Sequence, residues 1–285
     1  MSSLCMSRRI GACLLLMYAT FADAADVERT GGPYVPTPQA VVDAMLELAK
    51  VGPRDFVIDL GSGDGRIVLT AAQRYSARGV GVDIDPELVQ QSNMEAQRRG
   101  LSQSVSFKEQ DVLQASIAEA TVLTLYLLPG MMQSLQTKLM RELKPGTRIV
   151  SHDFPFGDWK PDREVSIDIP EKYGTPGQWK STLFYWVVPA QVHGAWNISV
   201  PGAAVQPLRI TFAQQYQYLD GTAVVRGKRV AIAEGKVEAD RVRLKLLFRG
   251  GGAYDLRGTV HGDTIRGETV HGGRQLTWSA VRAAR

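Results

Sequence analysis

The chain has 285 residues, 44% hydrophobic and 22% charged, which is long for a single domain and apolar enough to build a sizeable core. Its only cysteines, Cys5 and Cys13, lie so early that a disulfide framework or a thiolate metal site is excluded for the rest of the chain. The formal charge of +4 is uneven: residues 191–285 carry fourteen Lys/Arg against seven Asp/Glu, and residues 25–190 carry seventeen against twenty-one, so the basic character belongs to the C-terminal part.

At the start, Arg8 and Arg9 precede an apolar run from Ile10 to Phe21 that closes on Ala22-Asp23-Ala24. This is the pattern of a secretory signal peptide cleaved after Ala24, and the run is shorter than the roughly 20 residues of a membrane-spanning helix. The expectation is an exported, periplasmic chain with no transmembrane segment once residues 1–24 are removed. Ser7-Arg8-Arg9 hints at twin-arginine export, although Gly11 and Ala12 stand where larger apolar residues are usual.

From residue 38 onward, helical and strand patterns alternate. Thr37-Pro38 reads as an N-cap and first helical residue, followed by Val41, Val42, Met45, Leu46 and Ala49 at helical spacing. Apolar runs at 56–60, 80–84, 105–107, 121–127, 148–150 and 182–188 predict strands; stretches 66–75, 87–99 and 131–143 predict helices between them. Strands that are apolar throughout, separated by helices, predict a parallel sheet covered on both faces, with ligands at the carboxyl ends of the strands.

The strongest motif, Asp59-Leu60-Gly61-Ser62-Gly63-Asp64-Gly65-Arg66, follows the first strand and opens the next helix. Its glycines allow a tight turn and a close ligand approach. A dinucleotide would bring a pyrophosphate, which Asp59 and Asp64 repel, whereas S-adenosylmethionine carries no phosphate and has an α-ammonium that needs a carboxylate such as Asp59. Asp83, ending the second strand, is placed to accept from both ribose hydroxyls, and Asp111, after the third, to accept from the adenine amino group.

These residues resemble the class I S-adenosylmethionine-dependent methyltransferases over roughly residues 30–190, with Asp59–Gly65 as motif I and Asp83 and Asp111 as the following acids. More narrowly, Pro33-Tyr34-Val35-Pro36-Thr37-Pro38 with Asp59–Val68 is similar to the lysine methyltransferases of mitochondrial ATP synthase c-subunit and adenine nucleotide translocase and their bacterial relatives. The resemblance implies a doubly wound, seven-stranded Rossmann-like domain over residues 25–190. It also implies a cofactor site of Tyr34, Thr37, Asp59, Gly61, Ser62, Gly63, Gly65, Asp83, Ile84, Asp111 and Val112.

On the acceptor side, the fourth strand ends in Leu125-Tyr126-Leu127-Leu128-Pro129, without the Asn/Asp-Pro-Pro-aromatic motif of nucleobase N-methyltransferases. Tyr126 is then either the side chain nearest the transferred methyl or a plain core tyrosine. His152 and Asp153, after the fifth strand, are either a base or amine-orienting pair, or a turn in which Asp153 caps backbone and His152 is a surface residue. Four scattered histidines without nearby paired acids make no metal-ligand set.

Pro189-Ala190 reads as a junction. Beyond it, short strands are punctuated by turn signals at 220–221, 234–235, 239–240, 250–252, 262–263 and 272–273, which predicts a small antiparallel β-barrel over 191–285. Gly194-Ala195-Trp196 and Arg282 resemble the lipocalin pattern, in which the arginine lies over the tryptophan and closes the barrel. The sequence thus predicts methyl transfer from S-adenosylmethionine to an amine, a protein lysine by analogy with the family. The alternatives are a non-catalytic S-adenosylmethionine sensor and a small-molecule methyltransferase whose barrel binds an apolar substrate. The methyl acceptor is a protein or small molecule, and no specific nucleic-acid motif is present.

Overall fold

The computed structural model describes residues 34–172, 174–199, 208–225, 228–247 and 253–283. The leader with its Ala22-Asp23-Ala24 boundary and the turn signal at 250–252 lie outside the described residues. Helix α1 (Gln39–Leu48) starts one residue later than expected. Pro38 is its N-cap, the Pro38 carbonyl accepting from the Val41 and Val42 N–H groups, and the Thr37 side chain does not cap it. The rigid φ of proline suits this position, and its carbonyl takes the first two helical bonds.

Strands β1 (Phe56–Leu60), β2 (Arg78–Asp83), β3 (Val105–Glu109), β4 (Val122–Leu125) and β5 (Arg148–His152) are parallel. They are joined through α2 (Arg66–Tyr75), α3 (Pro86–Arg98) and α4 (Pro129–Glu142). Successive strand residues point to opposite faces, and the packing follows that parity. Val57, Val122, Val150 and Leu183 bury against α1 and α2, while Ile58, Leu123, Leu125 and Ile149 bury against α4 and three aromatics, Phe156, Trp159 and Trp186. Helix α3 is started by Asp85, whose carboxylate accepts from the Glu87 and Leu88 N–H groups, with Pro86 next in the chain.

The sheet order is β3-β2-β1-β4-β5-β7-β6, so the strand order reverses between β1 and β4 and opens the ligand crevice there. Strand β7 (Thr175–Val187) runs antiparallel to β5, and β6 (Arg163–Lys172) antiparallel to β7. The sequence predicts only the apolar end of β7. Strand β6 is a mostly exposed edge strand, so its composition carries no apolar run.

The C-terminal region is a closed eight-stranded antiparallel barrel. Its strands are β8 (Gly194–Ser199), β9 (Leu208–Gln215), β10 (Tyr218–Val225), β11 (Lys228–Glu238), β12 (Arg241–Leu247), β13 (Ala253–His261), β14 (Thr264–His271) and β15 (Arg274–Arg282). The inward residues, including Trp196, Phe212, Leu244, Leu256 and Trp278, form one buried cluster. Gly258 and Gly267 pair across β13 and β14: the absent side chain at Gly258 admits the Trp278 indole, that at Gly267 lets the Arg257 backbone approach, and Trp278 Nε1 donates to the carbonyls of Arg257 and Glu268. Arg282 lies over Trp196 with its Cζ 4.5 Å from the ring centroid, as the lipocalin resemblance implies. Its guanidinium also donates to the Gln191 and His193 carbonyls and to Asp263.

The barrel docks on the α/β domain through the turn between β9 and β10. Tyr216 stacks on Trp159 at 5.5 Å with an interplanar angle of 11°. Gln217 is buried; its Oε1 accepts from Trp159 Nε1 at 3.0 Å and its Nε2 donates to the Lys160 carbonyl at 2.8 Å. No described helix is long and apolar enough to cross a membrane.

Candidate functional site

At the carboxyl ends of β1, β2 and β4 lies a cavity of about 250 Å³ whose walls include Tyr34, Thr37, Asp59, Gly61, Asp83, Asp111 and Tyr126. Ser62, Gly63, Ile84 and Val112 line it as well. The loop after β1 is shaped by neighbours that leave no room for side chains. At Gly63, φ is +53° and a Cβ would come within 2.5 Å of the Tyr34 ring. The Gly63 N–H donates to Asp83 Oδ2 at 2.7 Å, so the end of β2 holds the loop in place. Ser62 has its Oγ turned toward Gly81, and Gly65, packed against Phe107, turns the chain into α2.

Asp59 is 1% exposed and sits in register with Thr124 on β4, whose hydroxyl donates to Asp59 Oδ1 at 2.7 Å. Burial pushes the Asp59 carboxyl up to about 7; the Thr124 hydrogen bond opposes this, and the charges of Asp83 and Asp64 add to it. Asp83 also accepts from the Asp85 N–H, and Asp111 Oδ1 accepts from the Leu113 N–H, which fixes both carboxylates at the rim while leaving lone pairs for a ligand.

Asp64 departs from the expectation that it repels phosphate. Arg66 Nε and Nη2 grip both of its carboxylate oxygens, at 2.9 and 2.6 Å, and this pairing holds the Asp64 carboxyl below the usual range against its burial. Arg66 Nη1 reaches on to the Thr37 carbonyl at 2.8 Å. Arg66 thereby ties the Tyr34–Pro38 segment down over the cavity, a role that the motif alone did not reveal. The cation preference of the cavity rests on Asp59, Asp83 and Asp111. A buried carboxylate at the glycine turn, two rim carboxylates and a backbone cradle closed by Tyr34 fit S-adenosylmethionine, which is cationic and free of phosphate.

His152 and Asp153 stand behind the wall. The His152 ring is 1% exposed, packs 4.0 Å from the Tyr126 ring and is not a surface residue. Burial lowers its pKa to about 4; Asp153 opposes the shift and Lys172 adds to it. The imidazole is therefore neutral at physiological pH. Its Nε2 lies 2.9 Å from Ser181 Oγ and 3.3 Å from Asp153 Oδ2, and Nδ1 lies 3.5 Å from Thr37 Oγ1. The Ser181 and Thr37 hydroxyls can each donate or accept, so either ring nitrogen can carry the proton with these partners. Asp153 does cap backbone, its Oδ1 accepting from the Thr182 N–H at 3.0 Å. Sequence reasoning missed Thr124, Lys172 and Ser181. Of these, only Thr124 left a trace, as the lone polar residue in the β4 run opposite Asp59.

A family model described as the ANTKMT methyltransferase domain matches residues 59–163. A protein-lysine N-methyltransferase of Saccharolobus islandicus (strain REY15A) is 39% identical over 157 residues, 55% of this chain and 93% of that protein. The chain belongs to this methyltransferase family. A further relative, the ATP synthase c-subunit lysine N-methyltransferase of Rattus norvegicus, is 33% identical over 56% of this chain and 74% of its own length. Among solved structures, an RNA methyltransferase from Salinibacter ruber in complex with S-adenosyl-L-homocysteine has 47% identity and a TM-score of 0.50, covering 55% of this chain and 96% of that one. The methyltransferase uses S-adenosylmethionine.

Proposed function

We propose that this methyltransferase moves the methyl group of S-adenosylmethionine to the side-chain amine of a protein lysine. The observation that carries the reading is the match along 93% of a relative named a protein-lysine N-methyltransferase. The chemistry of the site agrees with it: an acid-lined cavity with aromatic walls attracts a lysine ammonium as well as a cationic cofactor. When bound, S-adenosylmethionine supplies an electrophilic methyl carbon on a sulfonium. Asp59 holds the cofactor's ammonium, and Asp83 and Asp111 orient its ribose and adenine. Tyr34 and the Tyr34–Pro38 segment exclude water, and Tyr126 lines the wall that the acceptor amine meets. Methyl transfer is a direct displacement, so alignment supplies most of what the protein contributes, up to about 7–11 kcal/mol in well-oriented systems. The packed interior of the barrel favours a covering role over carriage of an apolar substrate.

The full chain, incubated with methyl-labelled S-adenosylmethionine and a proteome from a strain lacking it, is expected to label material that protease destroys and ribonuclease leaves intact. The label should co-elute with methylated lysine after hydrolysis. Label recovered only in nucleic acid or in an organic extract overturns the reading. Export is part of the same proposal: residues 1–24 carry the leader pattern. Periplasmic fractions are then expected to hold a chain beginning at Ala25, and a cytoplasmic chain retaining its leader contradicts export.

A further inference from the structure

Beyond His152, the paired strands β6 and β7 overhang the sheet. The last β5 partner is Leu183, opposite His152, whereas β6 and β7 stay paired from Ile167 with Ser181 out to Lys172 with Thr175. A register shift between Ile169 and Glu171 bends the hairpin, and Ile167, Ile169 and Trp179 pack into the cluster that contains α1. From near the hairpin's end, Lys172 reaches back. It is 9% exposed, and its Nζ lies 2.6 Å from Asp153 Oδ2 and donates to the Lys180 carbonyl at 2.8 Å. Asp153 takes a left-handed backbone, φ +61°, and bonds Thr182 through both its N–H and its Oδ1. Aspartate enters this region more readily than most non-glycine residues, and the two bonds to Thr182 hold it there.

A continuous chain of contacts thus runs from the hairpin to the cavity wall: Lys172 to Asp153, Asp153 to His152, and His152 to Tyr126 and Thr37. We propose that Lys172 is a positioning residue of the methyl-transfer site, its ion pair with Asp153 pinning the overhanging hairpin behind the wall formed by His152, Tyr126 and Thr37. The proposal rests on reading that wall as part of the methyl-transfer site. Removing one member of a buried pair leaves an uncompensated charge, while removing both is tolerated far better. Lys172 also offsets the Asp153 carboxylate beside His152. The other groups around the ring, Ser181 on β7, Tyr126 after β4 and Thr37 before α1, carry no charge at neutral pH.

The test compares full-length Lys172→Met, Asp153→Asn, the double variant and Lys172→Arg with wild type. Proton NMR follows the His152 ring, assigned by His152→Gln. In Lys172→Met the bare carboxylate is expected to raise the His152 titration by about one pH unit or more. Amide exchange over 167–181 should accelerate about tenfold. The double variant should return both readouts toward wild type, and Lys172→Arg should stay near it. Loss of packing alone would not move the titration in this pattern. An unshifted His152 titration in Lys172→Met, or a double variant no closer to wild type than either single, overturns the proposal. If Lys172→Met fails to fold, a folded double variant supports the pair and an unfolded one overturns it. Binding of S-adenosylhomocysteine to wild type, measured alongside by calorimetry, separates failure of the site reading from failure of the ion pair.

Discussion

Asp59 and Thr124 face each other across the β1–β4 pair at the point where the sheet order reverses, and the threonine hydroxyl donates to the buried carboxylate at 2.7 Å. One neutral hydrogen bond does not offset the burial of a charge, which is why the carboxyl is pushed to about 7. A ligand cation supplies what is missing.

The pH dependence of folding follows from this carboxyl and from His152. Asp59 keeps its proton in the fold until about pH 7, so its stabilising contribution is full below about pH 4 and is lost as pH rises through 7. His152 stays neutral in the fold down to about pH 4, so its contribution is full above about pH 6.5 and is lost as pH falls through 4. The two slopes oppose each other, each on the order of 4 kcal/mol in total. Urea unfolding of Asp59→Asn should show stability rising with pH between 4 and 6.5 relative to wild type, and His152→Gln should show it falling. Superimposable profiles contradict these assignments.

Gly63 offers a test of the loop that is independent of charge. Gly63→Ala places a methyl 2.5 Å from the Tyr34 ring at φ +53°, whereas Gly100→Ala meets open space at φ +69°. Both carry a left-handed backbone cost of roughly 1–2 kcal/mol. Only Gly63→Ala is expected to weaken S-adenosylhomocysteine binding, by about tenfold or more in calorimetry. Equal effects from the two variants would mean that the loop's close approach to Tyr34 has no bearing on the ligand.

Arg66→Lys keeps a positive charge but cannot grip both Asp64 oxygens and the Thr37 carbonyl together. Weaker ligand binding would report a loosened segment. The expected loss of affinity is about five- to tenfold, and an unchanged affinity argues against the tie.

Gln217→Ala removes the partners of Trp159 Nε1 and of the Lys160 carbonyl at a buried contact. Unsatisfied buried groups cost about 1–3 kcal/mol each. The variant should melt at lower temperature, with the barrel and α/β transitions separating in calorimetry. A single unshifted transition would show that the turn contributes little to docking.

The glycine turn, the three acids and the alternation of strands and helices were legible because each is a local signal, a residue type fixed by its place at the end of an apolar strand. The barrel was legible for the same reason, since its turn signals recur at regular spacing, while its closure by Arg282 over Trp196 came only from the resemblance to the lipocalin pattern. What stayed hidden depends on register between distant segments. Strand β6 has no apolar stripe because it is an edge, and Lys172 reads as an ordinary surface lysine until the bent hairpin brings it to Asp153. Asp64 is the converse case: its charge was visible, and its neutralisation by Arg66 two residues on was not.

The most direct test of the acid-lined cavity as a cation seat is calorimetry of S-adenosylhomocysteine binding to the full chain at pH 6 and pH 8, with wild type beside Asp59→Asn. With the Asp59 carboxyl near 7, the ionised fraction rises about tenfold between these values, so wild type should bind roughly tenfold tighter at pH 8 and release a proton on binding at pH 6. Asp59→Asn should bind weakly at both. Equal wild-type affinity at the two pH values without proton release, or full affinity in Asp59→Asn, would contradict the account.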